Sequence, residues 1–301
     1  MTTTKPVVIC GPTASGKSDT AMAAARATNT EIVVCDAMQV YRGMDIGTAK
    51  PTLDDQRAVA HHCLDLVEAS ARFTVSDYQA AARAAVADVV SRGKRPLVVA
   101  GTGLYLTALI DDLSFPGEYP DARREVESER DVAVLFRRLE QLDPLAASRI
   151  EPTNRRRIER ALEVTLGSGQ PFSSFGPGTA AYPDNGVTQI GILWQREALA
   201  RRVEERVHAM MARGFLDEVK RLVESTSMSH TARQALGYAE LIDHLHGECS
   251  LDEAVADIVL HTRQFAVRQE RWFRRDPRIR WVHVEADPVA EIAPLVIEAL
   301  H

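Results

Sequence analysis

Short apolar runs recur along the chain and predict the strands of one sheet. Residues 7–10, 32–35 and 97–100 are such runs, and two further segments at 187–194 and 280–284 have strand-forming composition. An unbroken apolar run of this kind is typical of a strand that is buried on both faces. Helical segments separate most of these runs, so the pattern favours an α/β fold with a parallel sheet flanked by helices.

Amphipathic stripes and capping signals predict the helices between these strands. An alanine-rich helix follows the first strand at about residues 18–27, and another begins at a predicted capping box at residues 76–79. A long helix is predicted over 251–273, behind a second capping box at 250–253. One further buried helix face is indicated by apolar residues at helical spacing, namely Leu199, Val203, Val207 and Met210.

The periodicity becomes helical between residues 117 and 186, where Pro, Gly and charged residues dominate. This segment interrupts the sheet-forming pattern on either side of it. We therefore predict three stretches along the chain: the first part of the core at 1–116, a helical insertion at 117–186, and the second part of the core at 187–301.

A glycine-rich loop between the first strand and the first helix carries the clearest chemical signal. It matches the phosphate-binding P-loop pattern G-x-x-x-x-G-K-[ST] and consists of Gly11, Pro12, Thr13, Ala14, Ser15, Gly16, Lys17 and Ser18. The glycines permit the turn, the N–H groups and the helix dipole bind a phosphate, and Lys17 adds a charge. The Ser18 hydroxyl is the candidate ligand for a Mg²⁺ ion. A chance Gly/Ser turn is the alternative, but the flanking strand and helix favour a phosphate site.

Polar residues end two of the predicted strands. Asp36 follows the strand at 32–35 and Thr102 follows the strand at 97–100. We predict that these strands are neighbours and that both residues lie close to the P-loop, on the edge where α/β folds carry their chemistry. Asp36 could be a general base or a Mg²⁺ ligand, and the alternative is that it caps the following turn. Many P-loop ATPases and GTPases have an aspartate after a strand such as 97–100, and its absence here argues against a nucleotide-hydrolysing protein.

Histidines, cysteines and apolar runs give weaker signals. His61, His62 and Asp65 could bind a metal, but adjacent residues on a regular element point apart, which favours structural or substrate-positioning roles. The four cysteines are widely spaced, as is typical of free thiols in a cytoplasmic protein. No apolar run is long enough to span a bilayer, so we expect a cytoplasmic protein with no membrane partner.

The distribution of charge is more informative than its sum. The formal net charge is −6, which argues against a uniformly basic nucleic-acid binder. Two arginine clusters nevertheless occur at 155–160 and 263–275, and the second is interleaved with aromatic residues. Such clusters suit an RNA backbone with unstacked bases. The alternative is a solvated helix face whose arginines pair with Glu159, Glu163 and Glu270.

Together these residues resemble the tRNA dimethylallyltransferase family, the isopentenyl-tRNA transferases. The matching motifs occur in family order from the first strand to about residue 284. They are the P-loop at 11–18, the segment Asp36 to Pro51, His61-His62-x-x-Asp65, Gly101-Thr102-x-x-Tyr105, Arg157-x-x-Arg160-Ala161-Leu162-Glu163-Val164, Gln234-Ala235-Leu236-Gly237-Tyr238 and Arg268-Gln269-x-x-Trp272-Phe273-Arg274. The chain departs from the family pattern at Ala60, Ala100, Phe265 and Val267, of which the last two lie on the expected RNA-contact helix.

The resemblance implies a reaction and its site residues. A dimethylallyl group would move from its diphosphate to N6 of the adenosine just 3′ of the anticodon, with Lys17, Asp36 and Thr102 as catalytic residues and Mg²⁺ near Ser18. The expected partners are the tRNA anticodon stem-loop and dimethylallyl diphosphate, and we expect a monomer. The implied tRNA contacts are Asp36, Ala37, Met38, Gln39, Thr102, Arg123, Arg157, Arg160, Gln234, Gly237, Tyr238, Arg268, Trp272 and Arg274.

Three other hypotheses are compatible with a phosphate loop. A P-loop kinase acting on a small molecule is disfavoured by the missing strand-end acid and by the arginine clusters. An isopentenyltransferase acting on free adenine nucleotides would not need the large helical insertion. A non-catalytic RNA-binding module would not need Lys17 together with Asp36. Whether diphosphate release depends on tRNA, on AMP or ATP, or on neither separates these hypotheses.

Overall fold

The computed structural model of the protein describes residues 4–176 and 178–301 as alternating strands and helices. The helices are α1 (Lys17–Thr28), α2 (Leu53–Ala58), α3 (Val75–Ser91), α4 (Gly103–Ile110), α5 (Pro120–Ser128), α6 (Val132–Leu142), α7 (Pro144–Ala147), α8 (Arg155–Ser168), α9 (Arg196–Ala212), α10 (Phe215–Ser225), α11 (His230–Arg233), α12 (Tyr238–Leu245), α13 (Leu251–Phe273) and α14 (Pro288–Leu300), with 3₁₀ turns at Phe172–Phe175 and Gly178–Ala180.

The strands of the described chain form one parallel sheet. They are β1 (Val7–Cys10), β2 (Glu31–Cys35), β3 (His61–His62), β4 (Pro96–Ala100), β5 (Thr188–Leu193) and β6 (Ile279–His283). Their order across the sheet is β3-β2-β4-β1-β5-β6, and every neighbouring pair is parallel. The predicted α/β fold is therefore confirmed, and all five predicted strands occur. The edge strand β3 escaped prediction because two residues are too few to show a pattern.

Alternate residues of β1, β2 and β4 enter two hydrophobic clusters, one on each face of the sheet. Val8 and Val33 pack in one cluster with residues of α3, α4, α10, α12 and α13. Val7 and Ile32 pack in the other cluster with residues of α1, α9 and α14. Because helices cover both faces, the central strands β1, β2 and β4 are almost entirely apolar rather than alternating with polar residues.

The starts of two long helices test the predicted capping boxes. At α13, Ser250 accepts the N–H of Glu253 and the Glu253 carboxylate accepts the N–H of Ser250, as predicted. At α3 the prediction of residues 76–79 was wrong, since the box is formed by Thr74 and Asp77. Thr74 and Ser76 each have a hydroxyl that is followed three residues later by an acceptor, Asp77 and Gln79 respectively. The structure uses the first pair, so the helix begins two residues earlier than predicted.

The chain divides into two compact units: a core unit of Met1–Ile110 with Tyr182–His301, and an insertion unit of Asp111–Ala181. The insertion predicted from the sequence spans residues 117–186. The insertion unit is helical and has its own hydrophobic core, formed by Val126, Leu135, Leu139, Ala146, Ala147, Ile150, Ile158, Ala161 and Leu162. Buried Glu163 accepts the N–H of Tyr119 at 3.0 Å and so joins the start of α5 to α8.

The cysteines carry free thiols, as the sequence predicted. Cys10, Cys35 and Cys63 are buried, and burial raises the pKa of Cys10 to about 12. A thiol with so high a pKa is almost entirely protonated at neutral pH and therefore unreactive. In the two ranges that the structure describes, no helix has both the length and the apolar surface needed to cross a bilayer.

Candidate active site

The candidate site begins at the loop between β1 and α1. Gly11 has a φ of +150° and Gly16 a φ of +92°, angles that residues with side chains rarely adopt. A Cβ atom at Gly11 would lie 2.9 Å from the carbonyl oxygen of Ile192, so the loop approaches β5 only because this residue lacks a side chain. The loop delivers the chain to the start of α1, whose first N–H groups lack intrahelical partners and favour an anion.

Three side chains hold carbonyl oxygens of this loop. The donors and acceptors are Lys17 Nζ to Pro12 at 2.6 Å, Arg202 Nε to Ala14 at 2.9 Å, and Trp194 Nε1 to Ser15 at 3.0 Å. Two of these donors come from distant parts of the chain, the end of β5 and helix α9. The loop is therefore held in shape by the core unit and does not depend on a ligand for its conformation.

Two cations, Lys17 and Arg206, lie near each other at the start of α1. Burial, and after it the charge of Arg206, lower the pKa of Lys17 to about 8, while the nearby Asp36 acts in the opposite direction. Burial also lowers the pKa of Arg206. A pair of half-buried positive charges is unfavourable unless an anion offsets it, so this region is suited to an anionic ligand.

Strands β2 and β4 are neighbours, and their ends bring Asp36 and Thr102 together. Asp36 Oδ1 accepts the N–H of Met38 at 2.8 Å, and Thr102 Oγ1 accepts the N–H of Ala37 at 3.0 Å. Asp36 Oδ2 lies against Gly101, where an added Cβ would be 3.2 Å away. Oδ1 of Asp36 thus caps the turn, as one of the hypotheses from the sequence proposed. Among the described residues no hydrogen bond to Oδ2 is formed, so Oδ2 can accept a proton from a substrate.

A cavity of about 930 Å³ lies beside these residues in the core unit. Its wall includes Lys17 and Ser18 from the start of α1, Asp36, Thr102 and, from α9, Arg206. The volume is near the upper end of the range for small-molecule sites. The phosphate loop and the strand-end carboxylate therefore face one common space.

Comparison with known protein families accounts for this arrangement. Residues 39–276 match the family model described as IPP transferase. The chain belongs to the IPP transferase family. The family resemblance inferred from the sequence motifs is thereby confirmed.

Curated relatives and solved structures agree with membership of the IPP transferase family. A tRNA dimethylallyltransferase of Paenarthrobacter aurescens is 43% identical over 300 residues, which covers 98% of this chain and 96% of that protein. One from Geobacter metallireducens is 46% identical over 285 residues, covering 93% and 92%. The crystal structure of a tRNA isopentenylpyrophosphate transferase from Bacillus halodurans is 36% identical, with a TM-score of 0.71 and coverage of 99% and 97%. A eukaryotic dimethylallyltransferase acting on tRNA is 25% identical, with a TM-score of 0.80, and covers 97% of this chain and 77% of its own.

The tRNA contacts that the family resemblance implied fall into three groups. Gly237 and Arg274 belong to the core unit but do not line its cavity, whereas Arg123, Arg157 and Arg160 belong to the insertion unit. The structure does not test their contacts with RNA, which stay predictions. The residues that line the cavity are Asp36, Ala37, Met38, Gln39, Thr102, Gln234, Tyr238, Arg268 and Trp272.

Several arginines of the two clusters pair with glutamates of their own helices. The pairs are Arg155 with Glu159, Arg160 with Glu163, and Arg274 with Glu270, each at 2.7 Å. These are the three glutamates that the solvated-face hypothesis named. Arg157, by contrast, is exposed, and no described residue forms an ion pair with its guanidinium. A phosphate can therefore approach Arg157 without displacing a carboxylate.

The family's long loop, residues 37–51, is anchored by one buried carboxylate. Glu218 on α10 accepts four hydrogen bonds: from the N–H groups of Asp45 at 3.0 Å, Ile46 at 2.7 Å and Gly47 at 3.1 Å, and from the Tyr238 hydroxyl at 2.6 Å. The Tyr238 hydroxyl is thus engaged inside the core. Because residues of this loop line the cavity, the carboxylate also shapes the candidate site.

The histidine pair has structural partners. Nδ1 of His61 is 2.8 Å from the carbonyl oxygen of Val59, and Nε2 of His62 is 2.7 Å from the buried carboxylate of Glu31. Asp65 pairs with the buried Lys50 at 2.6 Å. Throughout the described residues, no three His, Cys, Asp or Glu side chains form a group that could hold a metal ion. These contacts favour the structural role over the metal site.

Two residues at this site, Arg206 and Gln269, were not predicted from the sequence to have a role. Arg206 lies four positions after Arg202 on α9, next to the buried stripe, and that spacing could have placed it beside the P-loop. Gln269 interrupts the apolar face of α13 and is 7% exposed. A buried amide needs hydrogen-bond partners, so its position in an apolar stripe was the available signal.

Proposed function

We propose that this protein transfers the dimethylallyl group of dimethylallyl diphosphate to N6 of the adenosine just 3′ of the anticodon in tRNA. One observation carries the proposal: Lys17 of the phosphate loop and the carboxylate residue Asp36 line the same cavity. A volume of about 930 Å³ can hold a prenyl diphosphate and a purine that has left its stack. Relatives named tRNA dimethylallyltransferases support tRNA as the acceptor.

The donor diphosphate binds at the P-loop in this proposal. When the bond between C1 of the prenyl group and oxygen breaks, the diphosphate leaves with the electron pair. Loop N–H groups, Lys17 and Arg206 stabilise the negative charge that develops on its oxygens. These groups are fixed in the protein before the reaction and need not reorganise during it.

Mg²⁺ fits the chemistry of this end of the cavity. The Ser18 hydroxyl is exposed on the cavity wall and is a hard oxygen donor. With no cluster of three ligating His, Cys, Asp or Glu side chains in the described chain, the ion would depend on phosphate oxygens, water and Ser18. When bound, it offsets part of the diphosphate charge.

The acceptor amine reacts at the other end of the cavity. As the bond from adenine N6 to C1 forms, a proton of N6 passes to Asp36 Oδ2. Oδ1 keeps its bond to the Met38 N–H, so the carboxylate keeps its orientation during the transfer. Thr102 maintains the turn by accepting the N–H of Ala37. The products are N6-dimethylallyladenosine, diphosphate and a proton on Asp36.

The remaining features concern the RNA and the state of the protein. On α13 of the core unit, exposed Arg268 and the ring of Trp272 combine positive charge with an aromatic surface, which suits unstacked bases of an anticodon stem-loop. In the insertion unit, exposed Arg157 offers a separate positive charge to the RNA backbone. The enzyme acts as a cytoplasmic monomer in this proposal. Free thiols are consistent with a reducing compartment.

Acceptor specificity tests the proposal. Labelled dimethylallyl diphosphate is incubated with the protein and a tRNA transcript, the same transcript with guanosine in place of the target adenosine, AMP, or ATP. We expect label only in the first transcript. Label in AMP or ATP would instead identify an isopentenyltransferase of free nucleotides, and release of ADP with a phosphorylated small molecule would identify a kinase.

A further inference from the structure

The buried side chain of Gln269 bridges two parts of the candidate site. Its Oε1 accepts the N–H of Thr13 in the P-loop at 2.8 Å, and its Nε2 donates to the carbonyl oxygen of Gly101 at 2.7 Å. Thr13 and Gly101 belong to loops that follow different strands, β1 and β4. One amide group therefore ties the phosphate loop to the loop that carries Thr102.

Both hydrogen bonds are needed to define this bridge. The N–H of Thr13 can only donate and the carbonyl of Gly101 can only accept, so the amide has one permitted orientation. A carboxylate could replace the first bond but would repel the second partner. The side chain also borders the proposed base, because a Cβ at Gly101 would lie 3.5 Å from Gln269 Nε2 and 3.2 Å from Asp36 Oδ2.

The helix that carries Gln269 also faces the cavity. Arg268 and Trp272 of α13 line it, and the Trp272 ring packs so closely on Gly103 that a Cβ there would lie 1.9 Å from the ring. The P-loop end, the β4 end and α13 therefore meet at the Gln269 amide. A change in its length or hydrogen-bonding pattern would alter the separation between the phosphate loop and Asp36.

We infer that Gln269 is a positioning residue that sets the distance between the bound diphosphate and the base at Asp36. The inference rests on the proposed function, since it concerns the alignment of C1 with the acceptor amine. Gln269 touches neither substrate in this role. Misalignment of reacting groups by about 1 Å can cost on the order of 10²-fold in rate, so a defect in the bridge should appear in the transfer step itself.

The test compares Gln269→Glu with the unaltered protein and with Gln264→Glu. Gln264 is exposed on the same helix, so the control adds the same charge without touching the bridge. We expect Gln269→Glu to lower the single-turnover rate at saturating tRNA and dimethylallyl diphosphate by about 10–100-fold near neutral pH. Gln264→Glu should keep the rate of the unaltered protein.

Lowering the pH should partly restore Gln269→Glu, because a protonated carboxyl can again donate to Gly101 O. Burial raises the pKa of a carboxyl group, so protonation is expected as pH falls from about 8 to about 6. Asp36, Lys17 and Arg206 are the charged groups facing this region, and each rate is therefore divided by that of the unaltered protein at the same pH. Gln269→Ala should be slow at every pH, with no such recovery.

Three outcomes are distinguishable. The inference is supported if the rate of Gln269→Glu, relative to that of the unaltered protein, rises as pH falls. The relative rates of Gln269→Ala and Gln264→Glu should not change with pH. Single-turnover rates of folded Gln269→Glu that match the unaltered protein at all pH values, or a deficit that pH does not change, overturn it. If the unaltered protein transfers no prenyl group to tRNA, the proposed function fails, and the inference that rests on it fails with it.

Discussion

Replacing Glu218 by glutamine should destabilise the core unit and loosen the loop at residues 37–51. The carboxylate accepts two hydrogen bonds at each oxygen: Asp45 and Ile46 donate to Oε2, while Gly47 and Tyr238 donate to Oε1. Glutamine has one acceptor oxygen, so its NH₂ group must face one of these donor pairs. Placing it at the Oε1 position is the milder choice, since the Tyr238 hydroxyl can turn and accept.

The cost follows from the bonds that cannot be remade. In the milder arrangement the N–H of Gly47 loses its partner in a buried site, and the bonds that persist lose their charge assistance. A hydrogen bond to a charged group contributes about 1.5–3 kcal/mol, and an orphaned buried donor costs about 1–3 kcal/mol. We therefore expect the free energy of unfolding to fall by about 2–5 kcal/mol, which corresponds to a Tm lower by about 5–15 °C.

Thermal and urea unfolding of three variants check this reasoning. Glu224→Gln, on the exposed face of the same helix, should stay within about 0.5 kcal/mol of the unaltered protein. Tyr238→Phe removes only one of the four bonds and should fall between the two, at about 1–2 kcal/mol. If Glu218→Gln melts with the unaltered protein, the four contacts do not anchor the loop and the argument is wrong.

Three further predictions concern the proposed chemistry. Asp36→Asn keeps an acceptor for the Met38 N–H but loses the base. The single-turnover rate of transfer should therefore fall about 10²–10⁴-fold while the Tm stays unchanged. Recovery of the rate in excess Mg²⁺ would show that Asp36 is a metal ligand instead. Lys17, with a pKa of about 8, is charged below that pH and neutral above it. Calorimetry should therefore show that the Kd for dimethylallyl diphosphate rises as the pH increases through about 8. A Kd that does not change with pH would contradict the role of Lys17. Replacing Arg157 and Arg268 by alanine should reduce the salt slope of tRNA binding by roughly one unit per lost phosphate contact, and an unchanged slope would show that these arginines contact no phosphate.

The parts of the site that sequence predicted are those that local rules specify. The P-loop is eight consecutive residues between a strand and a helix, so its conformation follows from its own glycines and neighbours. Asp36 and Thr102 came together as predicted because both follow strands of a parallel sheet, whose carboxyl ends share one edge. The one further requirement was that β2 and β4 be neighbours in the sheet.

The contacts that escaped prediction join residues far apart in the chain. Gln269 and Thr13 are separated by 256 positions, and Arg202 and Ala14 by 188. No periodicity or motif encodes such a pairing, because it depends on how α9 and α13 pack against the sheet. The capping error at α3 has a different cause, namely two equivalent local signals of which tertiary structure selects one.

The position of Asp36 in the sheet favours its role as the base over a role at the phosphates. The P-loop follows β1, Asp36 follows β2, and β4 lies between those two strands. Strands of a sheet are about 4.8 Å apart, so the two chain segments leave the sheet roughly 10 Å from each other. A diphosphate at the start of α1 occupies one side of that interval and its reactive carbon extends toward the other. A carboxylate two strands away from the P-loop is therefore placed near the amine that attacks. Thr102 follows the strand between them, and its neutral hydroxyl is sufficient to hold the turn that carries Asp36.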